Sequence, residues 1–412
     1  MDIQSNRKTA DGFDWENGCW INGESQKADA EIIISGDWAP IRAFDEIIER
    51  TPEAIYGDLL PVLRSSDLRI TNLECTLFGE NPVWKSGAVF RGRAEHIRGL
   101  TAVPFEVATL ANNHVFDYGS EAFRQTKELL KSRSICFLGA GMSAGEAHTP
   151  LLIDLKGIKV GIVNFSEGED LTAAADGPGV FGWEVDTVAE MVTGLQKTAD
   201  IIIVICHCGV EYIAFPPPYV TDAFHRIADA GADLIIGHHA HVPQGVQIYN
   251  DVPICYSLGN FVFFQETDLL YRKVGYFVQA GITKESVTYL RIVPYEIGPG
   301  SLNLLQEGRY DWFMKTLQKV SLPLADDKTI RDGWNGFLRY YGVNGFRKEI
   351  DMILKRMADE PQKGAAMFRN RIATMQHNRH WIDAMTRIMD GTINDSPAWA
   401  YELTEEWLTK KR

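Results

Sequence analysis

The chain lacks an excess of positive charge: 41 lysines and arginines stand against 55 aspartates and glutamates, a formal net charge of −14. A nucleic-acid-binding surface carries a basic footprint, so none is expected. There is also no apolar run of membrane-spanning length. Met1-Asp2-Ile3-Gln4-Ser5-Asn6-Arg7-Lys8 leads into polar and acidic residues, so neither a secretory signal nor a membrane anchor is expected. Cysteine is scarce, six in 412 residues, and scattered. Cys75, Cys136, Cys206 and Cys255 lie in or beside apolar runs. Buried reduced thiols are therefore expected rather than a disulfide framework, which points to the cytoplasm. No internal repeat or low-complexity segment stands out.

What is present is an ordinary globular composition, 45% hydrophobic and 23% charged, long enough for roughly two to three domains. Residues 1–30 carry Gly, Asn and Asp without a period and read as an irregular arm. From 31 onward strands and helices alternate. Apolar strands are predicted at 31–35, 68–71, 105–110, 135–138, 151–155, 159–165, 201–205 and 233–236. Helices are predicted at 42–50, 52–65, 94–101, 184–197 and 219–230, and after Gly119, where Phe123, Leu129 and Leu130 share an apolar side. Such continuous apolar strands suit burial on both faces. Beyond 246 the pattern is all-β, and a sheet core with helices outside is the natural sum over 31–300. Over 301–412 the character is helical. Ile350, Ile353, Leu354 and Met357 fall at helical spacing, as do Trp381, Ala384, Met385 and Ile388. This reads as a helical extension, packed on the sheet domain or at a subunit interface of a homo-oligomer.

Four short segments hold nearly every side chain a metal site would need: Gly36-Asp37, Asn72-Leu73-Glu74, Asn112-Asn113-His114 and Gly237-His238-His239-Ala240-His241. Cys206-His207-Cys208 lies between the last two, and five of the ten histidines fall in these stretches. Each follows an apolar strand, so the polar residues emerge at strand ends, where α/β sheets bind ligands. Carboxylate and amide oxygens with imidazoles suit one or two divalent ions: zinc, manganese or iron.

Taken singly, Asp37 reads as a turn aspartate. Glu74 says more, because a carboxylate straight after Ile70-Thr71-Asn72-Leu73 is desolvated and needs a partner. His114, beside Asn113, is a titratable imidazole suited to proton transfer near neutrality. Asp117, three residues on, either orients that ring or caps the helix that follows. Side chains alternate along a strand, so His207 faces away from Cys206 and Cys208 and is the better ligand. In an extended Gly237–His241, His239 and His241 share a side and His238 faces away.

The segments 36–37, 72–74, 111–119, 207–212, 237–244 and Ser257-Leu258-Gly259-Asn260-Phe261-Val262-Phe263 together resemble the CapA family. Its members are poly-γ-glutamate capsule biosynthesis proteins, related to the calcineurin-like metallophosphoesterases. The resemblance runs over about 31–265. It implies an α/β fold, a four-layer α/β/β/α sandwich with the metal centre at the strand ends and a C-terminal helical extension outside the match. Carried over by motif, Asp37 and His241 serve one metal, and Asn113, His207 and His239 the other. Glu74 stands in the bridging position and His114 in the catalytic one. Two departures stand out: Ala39 occupies a position where metallophosphoesterases have a ligating histidine, and Cys208 one where the family has tryptophan.

The expected activity is a metal-dependent hydrolase or transferase acting on a phosphoester or γ-glutamyl amide of a small-molecule or polymeric anionic substrate. Arg91, Arg93 and Asn260 are candidate substrate contacts, the two arginines reading equally as solvated loop charges. A non-catalytic accessory component of polymer assembly or export, and a broad-specificity phosphatase or phosphodiesterase, are the competing expectations.

Overall fold

The computed structural model describes residues 12–23 and 27–412. Two β-sheets lie face to face. The first runs in the order β1 (Cys19–Ile21), β15 (Val287–Ile297), β14 (Val274–Ile282), β2 (Ala30–Trp38), β3 (Leu68–Leu73), β4 (Val107–Thr109), β5 (Cys136–Leu138), with β16 (Leu302–Leu304) paired to β15. From β2 to β5 its strands are parallel, and β14, β15 and β1 continue it antiparallel. The second runs β12 (Val246–Tyr249), β13 (Val252–Cys255), β11 (Leu234–His238), β10 (Ile201–His207), β8 (Ile158–Ser166), β7 (Leu151–Leu155), parallel from β13 to β8. A small ribbon pairs β6 (Ala140–Gly141) with β9 (Gly179–Val180).

Period-two alternation explains why both faces of each sheet are apolar. Ile32 and Ile34 of β2 point between the sheets, where they meet Ile201, Ile203 and Ile205 of β10 in one core. Ile33 points outward into a second core with Ile48 of α1 (Asp45–Arg50), Leu63 of α2 (Leu60–Ser65), Leu100 of α3 (Ile97–Ala102) and Phe123 of α4 (Gly119–Ser132). On the far side Ile202 and Val204 pack against Val188 of α6 (Val185–Leu195) and Phe224 of α7 (Pro218–Asp229). Helix, sheet, sheet and helix thus form four layers, with the short α5 (Ala144–Ala147) beside β6.

The C-terminal helices pack on this sandwich. Phe313 and Leu317 of α8 (Glu307–Ser321) and Leu403 and Trp407 of α12 (Ala398–Thr409) enter the inter-sheet core. Trp334 and Phe337 of α9 (Asp327–Asp359) join Ala384 of α11 (Met375–Met389) in a separate cluster, and α10 (Pro361–Ala373) follows α9. Among the described residues no helix is long and apolar enough to cross a membrane.

Three expectations need correction. The irregular arm lies partly outside the described residues, but within them Cys19–Ile21 pairs with β15, a partner far along the chain that no local pattern announces. Cys136 is exposed, because β5 is a three-residue edge strand, although all six cysteines are free thiols. Of the stripe at 350–357 only Ile353 is buried, while Leu354 is 59% exposed. This half of α9 is covered on one side, where Gly364 of α10 lies against Met357.

Candidate metal centre

Parallel strands deliver the polar residues to one edge. The β2–β3 register shifts between Ser35 and Asp37, and the Asp37 amide donates to the Gly259 carbonyl at 3.2 Å. Only glycine fits at position 36, since a Cβ there would sit 2.1 Å from the Gly259 oxygen. The same constraint holds at Gly237, whose Cβ would sit 2.1 Å from the Tyr256 oxygen. β11 ends at His238, and His239 (φ +88°) and His241 (φ +56°) both adopt the left-handed backbone. The segment is therefore not extended as expected. Both side chains nevertheless reach the centre, through strained backbone of the kind that only surrounding structure can enforce. His238 also takes part, its Nδ1 3.1 Å from Asp37 Oδ1.

The side chains gather into two overlapping groups, Asp37–Glu74–His241 and Glu74–His207–His239. In the second, His207 Nε2 lies 3.0 Å from His239 Nδ1, 3.0 Å from Asn113 Oδ1 and 3.4 Å from Glu74 Oε1. Donor atoms about 2.1 Å from one ion and at right angles to each other lie about 3 Å apart, so this spacing fits a shared cation. In the first, His241 Nδ1 is 3.3 Å from Asp37 Oδ2 and its Nε2 is 3.7 Å from Glu74 Oε1. Asn72 joins the groups, donating from Nδ2 to Asp37 Oδ1 at 2.8 Å and lying 3.2 Å from His207 Nδ1.

The decisive test of fit is what lacks a partner. Both Glu74 oxygens and Asp37 Oδ2 are fully buried with no hydrogen-bond partner among the described residues. Buried carboxylate oxygens in that condition are costly unless a cation satisfies them. Burial and the neighbouring Asp37 push the Glu74 carboxyl well above its usual range. Asp37, although buried, is held well below it by the adjacent His238, His241 and His207 imidazoles. Burial lowers His241, but Glu74, Asp37 and Glu211 outweigh it and push the imidazole up to about 10. Burial depresses His207 and His239, keeping them in the neutral form that ligates metal.

Beside the groups, His114 Nδ1 lies 2.6 Å from Asp117 Oδ2, and its Nε2 lies 4.0 Å from Glu74 Oε1. Asp117 therefore orients the ring. It makes no cap bond, since the N-cap of α4 is Tyr118 without a side-chain hydrogen bond. Phe90 covers the imidazole at 4.1 Å between ring centres. Lys85 completes the set: its buried ammonium donates to Asp117 Oδ1 at 2.7 Å and to the Asn113 carbonyl at 2.8 Å, and lies 3.5 Å from Asp170. The sequence reading passed over Lys85 and singled out the arginines of the same loop. Arg91 is exposed, bonds the Gly79 carbonyl and lies over Tyr118; Arg93 is held by Asp45 and by Glu49 at 2.8 Å. Asn260 is buried, with Oδ1 2.9 Å from His241 Nδ1, where it orients the imidazole. Cys206 and Cys208 are buried in the outer core, their thiols pushed up by desolvation. Ala39 is fully buried among apolar residues.

A third carboxylate, Glu169, also escaped the sequence reading: it lies 3.4 Å from His239 Nε2 in a stretch with no period.

Residues 31–265 match the family model described as bacterial capsule synthesis protein PGA_cap. The chain belongs to this family. Outside the PGA_cap match lie β14, β15, β16 and every helix from α8 onward. The chain is 29% identical to the PGA biosynthesis protein CapA of Bacillus subtilis (strain 168) over 236 residues, covering 56% of this chain and 62% of that protein. It thus spans just under two thirds of that relative. It is 28% identical to the capsule biosynthesis protein CapA of Bacillus anthracis over 281 residues, 66% of this chain and 68% of the other. Among solved structures, a 5'-nucleotidase precursor from Thermus thermophilus aligns with 70% of this chain and 57% of its own, at 14% identity and a TM-score of 0.43.

Proposed function

We propose that this PGA_cap protein is a metal-dependent hydrolase or transferase acting on a phosphoester or γ-glutamyl amide in poly-γ-glutamate, capsule or related biosynthesis. The observation that carries the reading is Glu74: a buried carboxylate with two unpartnered oxygens, lying between two imidazole groups. Asp37, Glu74 and His241 would hold one divalent ion, and Glu74, Asn113, His207 and His239 another, of manganese, zinc or iron. What such an ion supplies when bound is an acidified water and charge that offsets a substrate's oxygens.

The protein's own part is positional. Asp117 accepts a hydrogen bond from His114 Nδ1, which leaves Nε2 facing Glu74 as the atom that gives or takes a proton at the reacting centre. Lys85 balances the buried Asp117 charge, so the carboxylate stays ionised and the ring stays in one orientation. An anionic substrate fits a chain of net charge −14 only where bound cations dominate the local field.

The test is a screen of purified protein, stripped and then supplied with manganese, zinc or iron, against phosphomonoesters, phosphodiesters and γ-glutamyl peptides. Turnover that disappears on chelation and returns with metal is expected. One observation favours a second reading, an accessory component that keeps a metal site without turnover: Ala39 is buried where a further ligand is expected. Retained metal with no hydrolysis across the whole screen would select it.

A further inference from the structure

Behind His239 the strand-end centre meets the C-terminal helices. Gly168 (φ +66°), Asp170 (φ +57°) and Leu171 (φ +63°) turn the chain sharply around Glu169. The Glu169 carboxylate is divided between two regions. Its Oε2 accepts from Asn113 Nδ2 at 3.1 Å and lies 3.4 Å from His239 Nε2. Its Oε1 accepts from Asn370 Nδ2 at 3.0 Å and lies 2.9 Å from His377 Nε2. Asn370, 1% exposed on α10, also accepts from the Asp170 amide at 2.9 Å, so one side chain fixes the turn and its carboxylate together.

A second observation points the same way. Gln376 of α11 is 1% exposed, and neither of its amide atoms has a hydrogen-bond partner among the described residues. It lines a narrow cleft with Asn113, Glu169, His207 and His239. Helices that merely covered the sandwich would not leave a buried amide unsatisfied against the centre, because that costs free energy without return.

We infer that the C-terminal helical extension completes the metal centre: Glu169, on the outer nitrogen of His239 and the amide nitrogen of Asn113, holds both ligands of the His207–His239 ion in place, and Asn370 and His377 are positioning residues that fix Glu169 there. The inference rests on the metal reading proposed above. It adds a carboxylate that orients two ligands from outside the recognised segments and gives the extension a function at the site.

Titration calorimetry with Mn²⁺ on the full chain tests it, alongside thermal melting of each metal-free variant. Outer partners of metal ligands typically contribute about 10–100-fold in affinity. Glu169→Gln and His377→Ala are expected to weaken Mn²⁺ binding by about that factor, with the metal-free melting temperature unchanged. His377→Gln, which keeps a donor for Glu169, is expected to bind within about threefold of wild type and remains informative if His377→Ala melts early. Tight Mn²⁺ binding by wild type with equal affinity in Glu169→Gln overturns this inference alone. Absence of Mn²⁺ binding by wild type overturns both it and the metal reading.

Discussion

Asp37, Glu74 and His241 make up one half of the centre, and Glu74, His207 and His239 the other; they share a carboxylate but differ in charge and in surroundings. Without a cation the first half pairs its own charges. Its histidine is pushed up to about 10 and so holds a proton at neutral pH, while Asp37 stays ionised. Behind it stands an apolar wall, with Phe263 stacked on His241 at 5.0 Å and Ala39 buried nearby. The second half keeps both imidazoles neutral and has amide and carboxylate oxygens around it from Asn113 and Glu169. The lesson is that a shared carboxylate does not make two sites equal. On the metal reading the raised Glu74 carboxyl weighs on both halves, and the first must in addition release the His241 proton before it can accept a cation.

The largest expected effect comes from removing what the halves share. Glu74→Ala should abolish measurable ion binding at both and reduce turnover to background, with no loss in metal-free melting temperature, because an unpartnered buried carboxylate is removed. Calorimetry and melting on the same sample check it, and retention of either ion would break the symmetry assumed for Glu74. Next in size, His114→Ala should lower turnover by about 10²–10⁴-fold while leaving metal content intact. Loss of metal would make His114 a ligand instead.

The comparison is sharpened by the pair His239→Ala and His241→Ala. The first should lose the tighter ion, and the second should retain it. In His239→Ala the remaining binding should tighten as pH rises from 7 towards 10. The sign follows from His241: its folded pKa is raised, so its proton is bound below about 10 and competes with the ion. Calorimetry at two pH values checks this, and affinity independent of pH would contradict the proposed inequality.

The smallest effect concerns the helices behind the second half. Burial lowers the His380 imidazole to about 3, and it sits 4.8 Å from the Phe337 ring. A depressed histidine contributes stability that is present above its ordinary value of about 6.5 and is lost as pH falls towards 3. The helical region should loosen over that window by at most a few kcal/mol, visible in tryptophan fluorescence. His380→Gln should flatten the response.

How much of this was legible in the sequence follows from distance along the chain. Asp37, Glu74, Asn113, His114, His207, His239 and His241 each end a strand or follow closely after one, so apolar runs located them and the sheet order brought them together. The same runs pointed to a sheet core with helices outside, and the family resemblance supplied the four layers. Lys85 and Glu169 lie in aperiodic loops, and their partners are set by tertiary packing rather than by spacing. Asn370 and His377 meet Glu169 across about two hundred residues, on helices whose pattern reports only an apolar stripe. The left-handed backbone at His239 and His241 overrode strand alternation, because β11 already ends at His238.

Elemental analysis of the wild-type chain and Glu74→Ala, each loaded with Mn²⁺ or Zn²⁺ and then desalted, tests the metal centre most directly. At least one ion per wild-type chain and none in Glu74→Ala is the expected result. No ion retained by wild type above the buffer blank, with the protein folded, would contradict it.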